Sequence, residues 1–220
     1  MRAIIFANGE FQDPQGARVL FKPDTLVIAA DGGTRHVLAT GVTPDVVIGD
    51  LDSLPSDVQT RIEAAGSQII RFSPDKDKTD LELALLHAVQ GGATEVIILA
   101  ALGGRLDQTM ANVMLLARPE LENIGVRIIE GAQEAFLIQD EATIQGQPGD
   151  TVSLIPLGGD AEGVTIEGVK WQLDQVTLRL GSTWGVSNVL TTEQARVCVQ
   201  RGMLLCTVMH ASEQVCKQWR

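Results

Sequence analysis

Aspartate recurs in this sequence where short apolar runs end. Asp31 stands in Ala30-Asp31-Gly32-Gly33, and Asp50 and Asp52 in Gly49-Asp50-Leu51-Asp52-Ser53. Asp75, Asp77 and Asp80 stand in Pro74-Asp75-Lys76-Asp77-Lys78-Thr79-Asp80, and Asp107 in Gly103-Gly104-Arg105-Leu106-Asp107. Seven of the 15 aspartates fall between Asp45 and Asp80. Carboxylates gathered in one place repel one another unless a cation is present. Hard oxygen donors of this kind suit Mg²⁺, which binds one or two carboxylates together with substrate phosphates. The chemistry implied is that of a Mg²⁺–polyphosphate site. Gly32-Gly33 and Gly103-Gly104 would let backbone approach phosphate closely, and Arg105, Lys76 and Lys78 are cations suited to phosphate oxygens. Each acid also has a plainer reading. Asp80 and Asp107 suit helix N-termini. Asp75 and Asp77 alternate with lysines as in a solvated turn, and Asp45 and Asp57 read as surface or turn residues. The recurrence at four strand ends is what favours a site.

Those acids need elements to position them. Ala3–Ala7, Leu26–Ala30, Val46–Ile48, Gln68–Phe72, Val96–Ala100 and Val126–Ile129 are short, Ile- and Val-rich runs that read as buried strands of a largely parallel sheet. A helix over Leu81–Val89 places Leu81, Ala84, Leu85, Ala88 and Val89 on one face, with a capping box at Thr79-Asp80-Leu81-Glu82 and Gly91-Gly92 after it. A second helix over Asp107–Ala117 would align Leu106, Met110, Val113, Met114 and Ala117, and Pro119 closes it. Alternating strands and helices predict an α/β fold. In an open parallel sheet the carboxyl ends of the strands share one edge, where ligands bind. Asp50 and Asp52, two residues apart in extended backbone, would point the same way.

The pattern changes near Gln145-Gly146-Gln147-Pro148-Gly149. Thr151–Pro156, Val164–Ile166, Val176–Leu180, Gly185–Val189, Ala195–Val199 and Leu204–Met209 are strand candidates about ten residues apart, which predicts a smaller all-β sandwich or barrel. The expected division is an α/β domain over 1–145 and a β domain over 146–220.

Composition narrows the function. The 220 residues are 20% charged and 45% hydrophobic, which argues against a disordered chain. Seventeen basic against 28 acidic residues leave a net charge of −11, so nucleic acid is not an expected partner. No run approaches a membrane span, and no signal-peptide pattern opens the chain. Cys198, Cys206 and Cys216 have no CxxC spacing and read as reduced thiols. These features predict a cytoplasmic protein. No GxxxxGK[ST], GxGxxG or GxSxG occurs. His36, His87 and His210 show no catalytic or zinc-ligand spacing.

The assembled motifs resemble the thiamine pyrophosphokinase family. The residues that carry the resemblance are Ala30-Asp31-Gly32-Gly33, Gly49-Asp50-Leu51-Asp52-Ser53, Asp77-Lys78-Thr79-Asp80, Gly103-Gly104-Arg105-Leu106-Asp107-Gln108 and Ser187-Asn188, in the family's order. Ala7-Asn8-Gly9 also fits. The resemblance implies transfer of the pyrophosphoryl group of ATP to the hydroxyl of thiamine, giving thiamine diphosphate and AMP, with Mg²⁺. It implies an N-terminal α/β domain and a C-terminal β-sandwich, in a homodimer with active sites between subunits. Carried over residue by residue, it implies catalytic roles for Asp50, Asp52, Asp80 and Asp107, with Asp50, Asp52 and Asp80 on the metal. It places Asp31, Gly32, Gly33, Lys78, Gly103, Gly104 and Arg105 on the nucleotide, and Gln108, Trp171, Trp184, Ser187 and Asn188 on the substrate side. Asp107 and Asp80 are the leading candidates for the base that accepts the hydroxyl proton. Trp184 or Trp171 could stack on the aminopyrimidine, or both could pack in the β core. Gln172 stands where the family commonly has Pro. A pyrophosphokinase for another alcohol, such as a hydroxymethyl pterin, and a non-catalytic thiamine or nucleotide sensor are the alternatives.

Overall fold

The computed structural model describes residues 1–211; Cys216 lies outside them. The chain divides into two compact units, the first running from Met1 to Gly131 and the second beginning at Ala132.

The first unit is α/β. Its strands are β1 (Arg2–Phe6), β2 (Leu26–Ala30), β3 (Val46–Gly49), β4 (Gln68–Arg71), β5 (Glu95–Leu99) and β6 (Gly125–Glu130). They lie in the order β4-β3-β2-β1-β5-β6, all parallel. The reason is in the residues: β1, β2 and β5 each begin on a half-buried residue and continue through four buried ones, the continuous apolar run of a strand covered on both faces. The helices are α1 (Thr34–Ala39), α2 (Ser56–Ala64), α3 (Asp80–Gln90) and α4 (Leu106–Leu115). The Thr79 hydroxyl caps α3 by accepting from the Glu82 N–H at 3.2 Å, and Leu81, Ala84, Leu85 and Ala88 are the buried face, as the spacing predicts. Only half of the expected capping box forms, because Glu82 turns to Arg118 at 2.7 Å.

The direction of α4 differs from expectation. Leu106, Met110 and Met114 are exposed by 75%, 50% and 47%. The residue that α4 buries is Asn112, whose Nδ2 donates to the Ala101 carbonyl at 2.8 Å. Turning Asn112 inward satisfies a carbonyl that would otherwise be buried without a partner, and it carries the apolar stripe outward.

The second unit is a β-sandwich. Strands β7 (Gln133–Ile138), β8 (Glu141–Gln145), β9 (Thr151–Pro156), β10 (Ala161–Glu167), β11 (Leu173–Leu178), β12 (Asn188–Val189), β13 (Gln194–Cys198) and β14 (Leu204–Met209) form two antiparallel layers. One has the order β12-β9-β14-β7 and the other β11-β10-β13-β8. Phe136, Val152, Leu154, Cys206 and Val208 from the first meet Ile144, Val164, Ile166, Ala195 and Val197 from the second in one core. β7 and β8 pair with β14 and β13, so the division falls at Gly131, ahead of the junction expected at Gln145–Gly149. The sequence leaves both inside the 1–145 domain and marks neither as a strand, because their partners lie about 50 to 75 residues on. Gly185–Val189, expected as a strand, is mostly a turn, with Ser187 in left-handed backbone at φ 63°.

Candidate functional site

In the first unit the chain starts in the middle of the sheet. β2, β3 and β4 are added on one side of β1, and β5 and β6 on the other. The loops after β1 and β5 therefore diverge, and the crevice between them is where ligands enter sheets of this kind. A cleft of about 560 Å³ lies there. Asn8, Gly9 and Glu10 after β1, Gly103, Gly104 and Arg105 after β5, Asp31 after β2 and Lys76, Lys78 and Asp80 after β4 line it.

The aspartates converge by two turns. Asp31 has φ 44° and Leu51 has φ 63°. An aspartate tolerates that conformation, whereas a buried leucine does not adopt it without cause. The turn at Leu51 folds Asp52 back, so that its N–H donates to Asp50 Oδ1 at 3.2 Å. The expected extended backbone is thus replaced by a turn, and the two carboxylates meet through it. A carboxylate oxygen from each of Asp31, Asp50 and Asp52 lies within 4.8 Å of the others. Gly49 permits the approach, since a Cβ there would stand 2.8 Å from Asp31 Cβ.

The trio is electrostatically unsatisfied. The Asp50 charge is the main cause that raises the Asp52 carboxyl above the ordinary range. The Ser53 hydroxyl donates to Asp31 Oδ2 at 2.7 Å, but Asp31 Oδ1 is buried and has no hydrogen-bond partner. A buried orphan oxygen beside two further carboxylates is costly unless a cation completes it. The donor set, hard oxygen throughout, fits Mg²⁺. Sequence placed Asp80 with Asp50 and Asp52 and gave Asp31 to the nucleotide. The structure instead puts Asp31 in the trio, while Asp80 faces Lys76 Nζ at 3.0 Å. Burial raises the Asp80 carboxyl, against the opposing pull of Lys76.

The remaining sequence candidates sort by position. Lys78, Gly103, Gly104, Arg105 and Gln108 line the cleft. Gly103 and Gly104 have φ 84° and 67°, a turn open to glycine. Gly32 and Gly33 are buried beneath it, where a Cβ on Gly33 would collide with the Phe6 carbonyl oxygen, so their demonstrable part is close packing. Asp107 is exposed and held by Arg105 through bonds of 3.1 and 2.5 Å, and that partnership lowers its carboxyl below the usual range. Ser53, Arg35, Glu10 and Asn112 were not singled out from sequence. Ser53 was legible as part of Gly49–Ser53; Arg35 and Glu10 carried no pattern.

The second unit has its own cleft, about 320 Å³, with Leu154, Ile166 and Leu173 as apolar walls and Trp171, Trp184, Ser187 and Asn188 around them. Trp171 and Trp184 are exposed by 54% and 60%. They do not pack in the β core. Exposed indoles at an apolar cleft can stack on a flat heterocycle.

A family model described as "Thiamin pyrophosphokinase, catalytic domain" matches residues 17–128, and one described as "Thiamin pyrophosphokinase, vitamin B1 binding domain" matches residues 140–204. Thiamine pyrophosphokinase of Bacillus subtilis is 31% identical over 183 residues, covering 82% of this chain and 86% of that protein. Thiamine pyrophosphokinase 1 of Oryza sativa subsp. japonica is 28% identical over 213 residues, covering 84% and 79%. The crystal structure of the B. subtilis protein superposes with a TM-score of 0.86 at 27% identity, covering 96% of this chain and 100% of that one. That of thiamin pyrophosphokinase from Geobacillus thermodenitrificans gives 0.83 at 25% identity, covering 98% and 100%.

Proposed function

We infer the function from one premise: the chain belongs to the thiamin pyrophosphokinase family. It is an ATP-dependent diphosphotransferase that converts thiamine to thiamine diphosphate. The thiamine hydroxyl oxygen attacks the β-phosphorus of ATP, the bond from that phosphorus to the α–β bridging oxygen breaks, and AMP leaves. The observation that carries the phosphate chemistry is the convergence of Asp31, Asp50 and Asp52 within 4.8 Å beside the cleft.

In this reading Asp31, Asp50 and Asp52 hold Mg²⁺, and Ser53 fixes Asp31 for it. When bound, the metal neutralises charge on the phosphate oxygens. Reactions of this type need in-line positioning and charge stabilisation more than covalent help from the protein. Lys78 and Arg105 meet phosphate oxygens, and the Gly103-Gly104 turn leaves room for them. Asp80 is the proposed base. It is half-buried in the cleft and its carboxyl is raised, so it is the more basic of the two candidates. Asp107, exposed and lowered by Arg105, is the poorer one and orients Arg105 instead. The cleft of the second unit takes thiamine, with Trp171 or Trp184 on its rings. The hydroxymethyl pterin and sensor alternatives have no comparable support.

The proposal extends to a homodimer with active sites between subunits. The exposed α4 stripe, together with exposed Leu180, Trp184 and Val186 of the second unit, supports it, because large apolar side chains left in water mark association surfaces. Among the described residues no helix is long and apolar enough to cross a membrane. Cys198 and Cys206 are thiols, which suits the proposed cytoplasmic location.

Incubation with ATP, Mg²⁺ and thiamine is expected to yield AMP and thiamine diphosphate. ADP would overturn the reaction type, and AMP formed only with another alcohol would overturn the substrate. Asp50→Asn should lower turnover by about 100-fold or more with the fold intact by circular dichroism. Undiminished turnover in that variant would remove the aspartates from the chemistry.

A further inference from the structure

The rim of the second unit's cleft is held by a side chain that bonds main chain. Val169 bridges Leu190. Around that bridge the Lys170 N–H donates to the Val189 carbonyl at 2.9 Å, and the Thr191 N–H to the Gly168 carbonyl at 2.9 Å. Continued, this antiparallel register sets Trp171 opposite residue 188 at a position where the ladder makes no main-chain hydrogen bond. The main chain of Asn188 is already committed on its other side, where it pairs with Val152 of β9. Its side chain supplies bonds that the ladder does not. Asn188 Oδ1 accepts from the Trp171 N–H at 3.0 Å, and Asn188 Nδ2 donates to the Trp171 carbonyl at 2.7 Å.

The amide is itself held. Oδ1 also accepts from the Val189 N–H at 2.9 Å. Before it, Ser187 sits at φ 63° and its N–H donates to Ser153 Oγ at 3.0 Å. Asparagine is the side chain that offers a donor and an acceptor at this reach. Aspartate lacks the donor, serine lacks the second group, and glutamine is a methylene longer. Trp171, by contrast, has little packing to fix it: its side chain is more than half exposed, with the Lys170 ammonium 4.5 Å from its ring centroid. An aromatic wall that is not packed gains its order from whatever holds its backbone, and that order is gained before ligand binds.

We propose that Asn188 is a positioning residue whose amide clamps the Trp171 backbone, so that the indole forms a fixed wall of the thiamine cleft. Asn188 acts on the substrate through Trp171. The proposal rests on the reading of this cleft as the thiamine site.

Two measurements separate the clamp from that reading. With thiamine and ATP as substrates, Asn188→Ala removes both bonds and is expected to raise the KM for thiamine by about tenfold, leaving kcat within about threefold and the KM for ATP unchanged. Asn188→Asp keeps the acceptor and should fall between wild type and Asn188→Ala; it also serves if the alanine variant fails to fold. In a Trp171→Ala background either substitution should add less than about twofold, since a residue acting through Trp171 has nothing left to position. An undiminished, additive effect in that background overturns the proposal. Independently of activity, a protein retaining Trp171 as its sole tryptophan (Trp184→Phe, Trp219→Phe) should show greater iodide quenching when Asn188→Asp is added. Unchanged quenching overturns the clamp whatever the substrate proves to be, whereas changed quenching with no thiamine turnover in the wild type leaves the clamp and overturns the thiamine reading.

Discussion

At the scale of single residues, what surrounds Asp31 and Asp80 separates the proposed metal ligand from the proposed base. Both follow strands of one sheet and both face one cleft. Asp31 has a buried oxygen with no partner and two carboxylates beside it. Asp80 Oδ1 is likewise buried without a hydrogen-bond partner, but the Lys76 ammonium stands 3.0 Å from it. A carboxylate already compensated by an ammonium gains less from a divalent cation than one that is orphaned. Asp31→Asn should therefore weaken Mn²⁺ binding, read by calorimetry without nucleotide, by about tenfold or more, while Asp80→Asn leaves it within about threefold and lowers kcat. Equal losses of metal affinity in the two variants would return Asp80 to the metal. The motif Gly49–Ser53 made Asp50 and Asp52 legible in the sequence. The partnership with Asp31 was not, because it depends on the left-handed turn at Leu51 and on strand neighbours 22 residues apart, as the Ser53–Asp31 bond shows.

At the scale of elements, the second unit carries a buried charged cluster that the proposed chemistry does not use. His210, after β14, has Nδ1 2.7 Å from Asp150 Oδ2, before β9, and Nε2 3.7 Å from Glu134 Oε1, on β7. All three are buried. Burial lowers the His210 imidazole, but the two carboxylates outweigh it and hold its pKa above 6.5. Burial raises Asp150, but bonds from the Ala211 and Gln147 N–H groups and from His210 bring it below 3.8. The signs follow by linkage. The His210 contribution is full below 6.5 and is lost as pH rises through the higher folded value; the Asp150 contribution is present above 3.8 and is lost as pH falls through the lower folded value. Stability of the second unit should thus fall as pH rises above about 6.5, and His210→Gln should flatten that slope while costing about 3 kcal/mol. A slope that survives the substitution would assign the pH dependence elsewhere. His210 read from sequence as a histidine without partners, since its partners are 60 and 76 positions away.

For the whole molecule, the two clefts lie in different units, and each unit leaves apolar side chains in water. On α4 these are Leu106, Met110 and Met114, spaced by four. A stripe of that kind on a helix gains about 25 cal/mol for each Å² covered, which favours a symmetric partner. The chain of 23.6 kDa is expected to scatter light as a dimer. Met110→Glu with Met114→Glu should yield a folded monomer with activity reduced by about tenfold or more, since like charges in an apolar interface oppose association. A fully active monomeric wild type would exclude a site shared between subunits.

The sequence by itself determined the local structure and most of the chemistry. Apolar runs marked six parallel strands, Thr79 marked a cap, and aspartates and glycines marked the turns at one sheet edge. These features are legible because each is settled within a few residues by backbone sterics, capping and burial. Only the tertiary structure decided which aspartate joins the trio, which way the α4 stripe faces, that β7 and β8 belong to the sandwich, and that Asn188 holds Trp171. Each depends on which distant segments pair, and that choice is made by the packing of the whole unit and not by any stretch of chain within it.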